Sequence, residues 1–475
     1  MDEKNTMYDY LRWRGDLTFD QDPFNEVDNL ILAQMAYVDY EEIVPETREG
    51  AVPITDVYQR YWEIHTEAEI MKRESFVKFS PFLLKPVAAS RRFSKMRLCG
   101  YVNFVSKNTE AQMSAVQYEL EDGSIYVAFR GTDETIVGWK EDFNLSFMSR
   151  TEGQRLAVEY MKRNFSGTSE RLRVGGHSKG GNFAVFVTCF SGPEIRDQIF
   201  QVFANDAPGF REEIVSQPEY EQVMAMTINI IPQDSIIGRL LNAGRDAIVV
   251  RSRKKGILQH DALSWEIMGN HFIPAKRSSD SIYLEKVLSE WLENVDDDSR
   301  RIFVDQIFGV LQTLGADTMK DVRQITLKEL GEAIQLIRSL PKENQSEMAD
   351  VLKKLVASGS RVFNEEMEHK EGILPDVFKK LSDVKERLSE AKQAAEAARI
   401  GVKAAVAGRQ AAAREQEKNA EQEQETAPAA GQEEAANDET PNPGTDHVAL
   451  AKSYLDKGIN IEGGESDDDD GEDPQ

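Results

Sequence analysis

The stretch Val174 to Asn182, reading V-G-G-H-S-K-G-G-N, constrains this chain more than any other. Gly176-His177-Ser178-Lys179-Gly180 fits G-x-S-x-G, the pattern of a serine held on a tight turn between a strand and a helix. Glycine is required there because side chains at the flanking positions would meet the neighbouring strand and helix. The context agrees: residues 171–174 are strand-like, and residues 183–190 form an apolar run suited to a buried helix. Ser178 is the candidate nucleophile.

Strand-like runs begin near Leu98, at residues 98–105, 115–120 and 125–129, and the last two are joined by Glu121-Asp122-Gly123-Ser124, a hairpin signal. Strand and helix patterns then alternate from about residue 125 to 250. That predicts the α/β class, with a mainly parallel sheet and helices on both faces. Residues 1–95 read as a helical lead-in, with helical spacing at 29–37 and 57–71, whose role is to cover one side of the sheet. The basic cluster Arg91, Arg92, Lys95 and Arg97 reads as solvated surface. Chemistry in such sheets collects at the carboxyl ends of strands, where Thr132, Ser178, Asp206 and Asp234 fall.

A serine hydroxyl needs a base, and the base needs an orienting acid. Of the histidines His65, His177, His260, His271, His369 and His447, His177 sits inside the elbow and reads as structural. His260 completes the order Ser, Asp, His, with His271 in reserve. Asp234 ends an apolar strand and is the expected acid. Asp206 is the alternative, in an Asn-Asp-Ala-Pro-Gly turn where aspartate often only caps, and Asp261 is too close to His260 to orient it. In Phe129-Arg-Gly-Thr-Asp133, the glycine and Thr132 would bring a backbone N–H and a hydroxyl beside the elbow, where acyl transfer needs oxyanion donors.

The net charge of -26 is uneven: from Glu415 onward there are 19 acidic and 3 basic residues. The remainder is mildly acidic, which argues against nucleic-acid binding. Cys99 and Cys189 lie in apolar contexts without metal-ligand spacing. No secretory signal or membrane-spanning run is visible, so cytoplasmic residence is the expectation. From about Ser281 the chain turns helical, at residues 283–292, 300–314, 327–340 and 348–356, as a small helical domain or a cover for the sheet domain. Residues 391–414 are an Ala-rich helix former, and the acidic tail beyond is expected to be disordered. The expected organisation is thus a catalytic domain over 1–280, a helical extension over 281–390, and the Ala-rich helix with its tail over 391–475.

Phe129-Arg-Gly-Thr-Asp133 with Gly138-Trp-Lys-Glu-Asp-Phe143, Gly175 to Asn182, Ile231-Pro-Gln-Asp234 and His260-Asp-Ala-Leu-Ser-Trp265 together resemble the class 3 lipases. They resemble more closely an uncharacterised bacterial lipase-like family of α/β hydrolases. The resemblance implies an α/β-hydrolase fold in which Ser178 attacks an ester carbonyl, His260 is the base and Asp234 orients it. It also implies an oxyanion hole formed by Thr132 and the backbone N–H of Lys179. The implied substrate is a carboxylic ester, lipid or lysolipid, met with at most transient membrane-surface contact, and no cofactor or metal is called for. Class 3 lipases usually carry a small residue where Asn182 stands, their histidine lies farther beyond the acid, and no long apolar lid is evident here. The alternative is a scaffold that keeps the fold for binding and recruits unknown protein partners through its helical extension and acidic tail.

Overall fold

Strands that follow one another in sequence and lie side by side in a parallel sheet send every right-handed crossover to the same face. The computed structural model of this chain has that form at its centre. It describes residues 5–369 apart from 74, 76, 134, 243, 245, 319, 320 and 322–326. The Ala-rich segment and acidic tail expected at 391–475 lie outside the described residues.

An eight-stranded sheet runs in sequence order: β1 (Val52–Pro53), β2 (Arg97–Ser106), β3 (Ala111–Glu119), β4 (Ile125–Phe129), β5 (Leu172–His177), β6 (Ile199–Asn205), β7 (Thr227–Pro232) and β8 (Ile248–Val250). Pairing is antiparallel from β1 to β4 and parallel from β4 to β8. The β3–β4 hairpin turns at Gly123, whose φ is +75°, and the Asp122 carboxylate accepts the Ser124 N–H at 3.0 Å. A two-stranded hairpin, β9 (Ile267–Met268) and β10 (His271–Phe272), follows the sheet.

Helices α1 (Met7–Arg14), α2 (Glu26–Met35), α3 (Ile54–Ile64), α4 (Glu67–Lys72) and α5 (Leu84–Ala89) precede β2. Between β4 and β7 come α6 (Ile136–Asn144), α7 (Glu152–Phe165), α8 (Lys179–Phe190), α9 (Pro193–Arg196), α10 (Glu212–Val215) and α11 (Pro218–Ala225). After β10 come α12 (Ser279–Asn294), α13 (Asp297–Thr313), α14 (Leu327–Ser339) and α15 (Lys342–His369). Ile125, Val127 and Phe129 of β4 share one core with Met161 of α7, Phe183 of α8 and Val223 of α11. Tyr126 and Ala128 point the other way, into a core with α1 to α5. The N-terminal helices therefore cover the face that the crossovers leave bare. This is an α/β-hydrolase fold followed by a helical extension.

Two details differ from expectation. The single helix expected at 57–71 is broken at His65, because Thr66 and Glu69 form a capping box that starts α4. Arg92 is buried rather than solvated, paired to Asp28 at 2.5 Å with both side chains fully enclosed. Its remaining donors reach the carbonyls of Leu17, Asp22 and Pro23, and Tyr10 donates to Asp28 at 2.8 Å. A buried charge is tolerated when paired and saturated in this way.

The extension is a cover. Val304 and Phe308 of α13 pack with Ile136 and Phe147, while α15 backs α12 through Tyr283, Val287 and Val362. Ser281 donates to the Ser235 carbonyl at 2.6 Å, and Arg211 pairs with Asp297 at 2.7 Å. The described residues all fall in one compact unit. Among the described residues no helix is long and apolar enough to cross a membrane, and Cys99 and Cys189 are buried and unpaired with one another.

Candidate active site

β5 ends at His177, α8 begins at Lys179, and Ser178 between them has φ +58° and ψ -133°. Such a backbone costs on the order of 1–3 kcal/mol for a non-glycine residue, so its surroundings must enforce it. They do so by close approach. A Cβ on Gly180 would lie 2.0 Å from the Phe129 carbonyl oxygen, and one on Gly176 would lie 2.4 Å from the Gly180 backbone. The Ser178 N–H donates to the Asn205 carbonyl at 2.9 Å, fixing the turn to β6.

Ser178 Oγ lies 3.0 Å from His260 Nε2, and His260 Nδ1 lies 2.7 Å from Asp206 Oδ2. The carboxylate against His260 is thus Asp206, where Asp234 was expected. Strand order explains the difference. Asp206 follows β6, which pairs directly with β5, so it is one strand spacing of about 4.8 Å from the elbow, whereas β7 lies two spacings away. Burial alone would raise the Asp206 carboxyl, but hydrogen bonds and charge from His260, with the Ser235 hydroxyl, hold it below the usual range. Its second oxygen accepts from Ser235 Oγ at 2.5 Å and from the Gly238 N–H at 3.1 Å. Asp234 clamps the loop leading to His260 instead, accepting from the Gly256 N–H and Gln259 Nε2, both at 2.8 Å. Asp261 pairs with Lys254 at 2.5 Å. His271, the reserve base, is exposed on β10, and its ring lies 3.4 Å from the side-chain oxygen of its neighbour Asn270.

His177 is a brace. Its Nε2 lies 2.9 Å from the His260 carbonyl, which can only accept, so Nε2 carries the proton and Nδ1 accepts from the Tyr37 hydroxyl at 3.0 Å. Burial, reinforced by His260 nearby, pushes the His177 pKa down to about 3. A neutral ring therefore ties the elbow to the backbone of His260. Asn182 braces the other side: its Nδ2 donates to the carbonyls of Pro208 and Gly209 at 3.1 and 3.0 Å, and its oxygen accepts from Gln154 at 2.8 Å. Nothing in the local sequence around Tyr37 or Asn182 marks these roles, because both partners are distant in the chain.

Thr132 and Lys179 both line the cavity beside Ser178. Gly131 is pressed onto the elbow, since a Cβ there would lie 2.5 Å from the His177 carbonyl oxygen. The Thr132 hydroxyl donates to Asp142 at 2.5 Å, which commits its proton. Lys179 is the first residue of α8, so its N–H has no acceptor within the helix. The Lys179 side chain turns inward: Nζ lies 3.0 Å from Glu141, in a pair whose side chains are 1% exposed. Burial opposes that charge, and Glu141 with Asp142 outweighs it, keeping the ammonium protonated.

The cavity above Ser178 and His260 encloses about 390 Å³. One wall comes from the α/β domain, including Trp139, Leu240 and Ile257; the roof comes from the extension, through Leu288, Trp291 and Phe303. No long apolar lid is visible in the sequence, yet α12 and α13 roof a largely apolar chamber.

A family model described as Mbeg1-like matches residues 87–309. Among solved structures, the chain is similar to M37 lipase, at 14% identity over 38% of this chain and 71% of that one, with a TM-score of 0.27. It is also similar to the lipase from Rhizopus microsporus var. chinensis, at 12% identity over 42% of this chain and 75% of that one, with a TM-score of 0.25. No curated protein matches.

Proposed function

We propose that this protein is a serine hydrolase of carboxylic esters, with Ser178 as nucleophile, His260 as general base and acid, and Asp206 as the orienting carboxylate. The observation that carries the reading is the unbroken chain Ser178 Oγ to His260 Nε2 to Asp206, at 3.0 and 2.7 Å, opening onto an apolar chamber. His260 takes the Ser178 proton as Oγ bonds to the ester carbon, and Asp206 holds the Nδ1 proton and stabilises the imidazolium. The carbonyl oxygen becomes an oxyanion, met by the N–H groups of Thr132 and Lys179 at the positive end of α8. On collapse His260 protonates the departing alcohol; it then deprotonates a water that attacks the acyl-enzyme, returning Ser178 and releasing the acid.

The chamber favours an apolar acyl chain, since its volume falls in the range of small-molecule sites and its walls are aliphatic and aromatic. Lipid or lysolipid esters fit this description. A fluorophosphonate probe is expected to label the wild-type chain at Ser178 and to leave Ser178→Ala unlabelled. Equal labelling of both proteins would overturn the assignment.

A further inference from the structure

The loop from Arg253 to Leu258, reading R-K-K-G-I-L, is exposed at every position. Ile257 and Leu258 are 55% and 49% exposed, two consecutive large aliphatics held in water. Their exposure is built in. Gly256, with φ +57° and open space around it, makes the turn at the tip, and its N–H is tied to Asp234 at 2.8 Å. Gln259 closes the base, donating to Asp234 at 2.8 Å and to the Lys254 carbonyl at 3.0 Å.

Charge and position give this tip a direction. Arg251, Arg253, Lys254 and Lys255 stand against Asp261 and Glu266 in residues 251–266, a local excess of cations in a chain of net charge -26. Lys254 is matched by Asp261 and Arg251 by Glu266, whereas Lys255 at the tip is exposed beside the aliphatic pair. Ile257 also lines the catalytic chamber, three residues before His260, and Phe143 on the same chamber is 47% exposed. The apolar surface therefore continues from the tip into the site.

We infer that this loop docks the protein on an anionic lipid bilayer, with Ile257 and Leu258 entering the headgroup boundary and Lys255 facing the lipid phosphates. Two side chains on a narrow turn are far smaller than the roughly 800 Å² per partner of a stable protein interface. Shallow aliphatic insertion beside cations is how peripheral proteins hold a charged membrane surface. The orientation, with the chamber opening toward the bilayer, rests on the proposed ester chemistry; the docking itself does not.

The test is flotation of full-length Ser178→Ala with phosphatidylcholine vesicles, with and without phosphatidylglycerol. Ser178→Ala is expected to float with the anionic vesicles and to be released by salt. Adding Lys255→Glu and Leu258→Ser should weaken binding about tenfold. The same two substitutions on the wild-type background should leave turnover of a soluble short-chain ester unchanged, which also shows that the fold is intact. Absence of flotation on anionic vesicles, equal flotation on neutral ones, or undiminished binding by the altered loop would each overturn the docking. Should wild type bind vesicles yet hydrolyse no ester, the docking stands and the proposed activity falls; matching melting temperatures then establish that the loop variant is folded.

Discussion

The floor and the roof of the chamber are built by different means. The floor holds Ser178 in a strained backbone, surrounds it with glycines that admit no Cβ, and saturates Asp206, His177 and Asn182 with hydrogen bonds. The roof is two helices that lean on the chamber through Leu288, Trp291 and Phe303 and attach at their edges by ion pairs such as Arg211–Asp297 and Arg239–Glu285. Hydrogen-bonded geometry tolerates no displacement, whereas apolar contact is non-directional. The floor is therefore suited to chemistry and the roof to shape.

The sharpest way to break this contrast lies within the floor. Asp206→Asn should lower kcat by roughly 10³–10⁴-fold, and Asp234→Asn by about tenfold at most, because one carboxylate touches the base and the other only its loop. Equal losses in steady-state assays would mean that positioning and orientation cannot be separated here. Next is a stability effect from the brace. The His177 pKa falls from 6.5 to about 3 on folding, so between those values the unfolded chain binds more protons. Stability then rises with pH across that window: the contribution is complete above about pH 6.5 and is lost as pH falls toward 3, by up to ~5 kcal/mol. Denaturant melts across this range should show that slope, and His177→Gln should flatten it; an unchanged slope would remove His177 as its source. Smallest is the roof. Trp291→Ala should shift kcat/KM between long and short acyl esters by roughly tenfold or less, with little change for the shortest. A large loss on every ester would place Trp291 with the floor.

Features governed by local chain chemistry were legible in the sequence. The glycines around Ser178, the Asp122-Gly123 hairpin and the helices of the extension each declare themselves within a few residues. Features that depend on which elements become neighbours were not. Asp206 and Asp234 both end strands, and only the order of β5, β6 and β7 in the sheet sets which one reaches His260. Arg92 resembles a surface cation because its partner Asp28 lies 64 residues earlier. The helices after Ser281 were readable as helices, but their landing place over Ser178 depends on the shape of a chamber whose other walls are scattered from Tyr37 to His260.

That α12 and α13 follow His260 in the chain has a consequence for biosynthesis. At ~5–20 residues per second, Val304 leaves the ribosome on the order of seconds after His260. During that interval Ser178, His260 and Asp206 can already assemble around an open apolar trough. A nascent chain at this stage carries an exposed greasy surface beside Ser178 and His260, and translation of the last helices covers that surface with Leu288, Trp291 and Phe303.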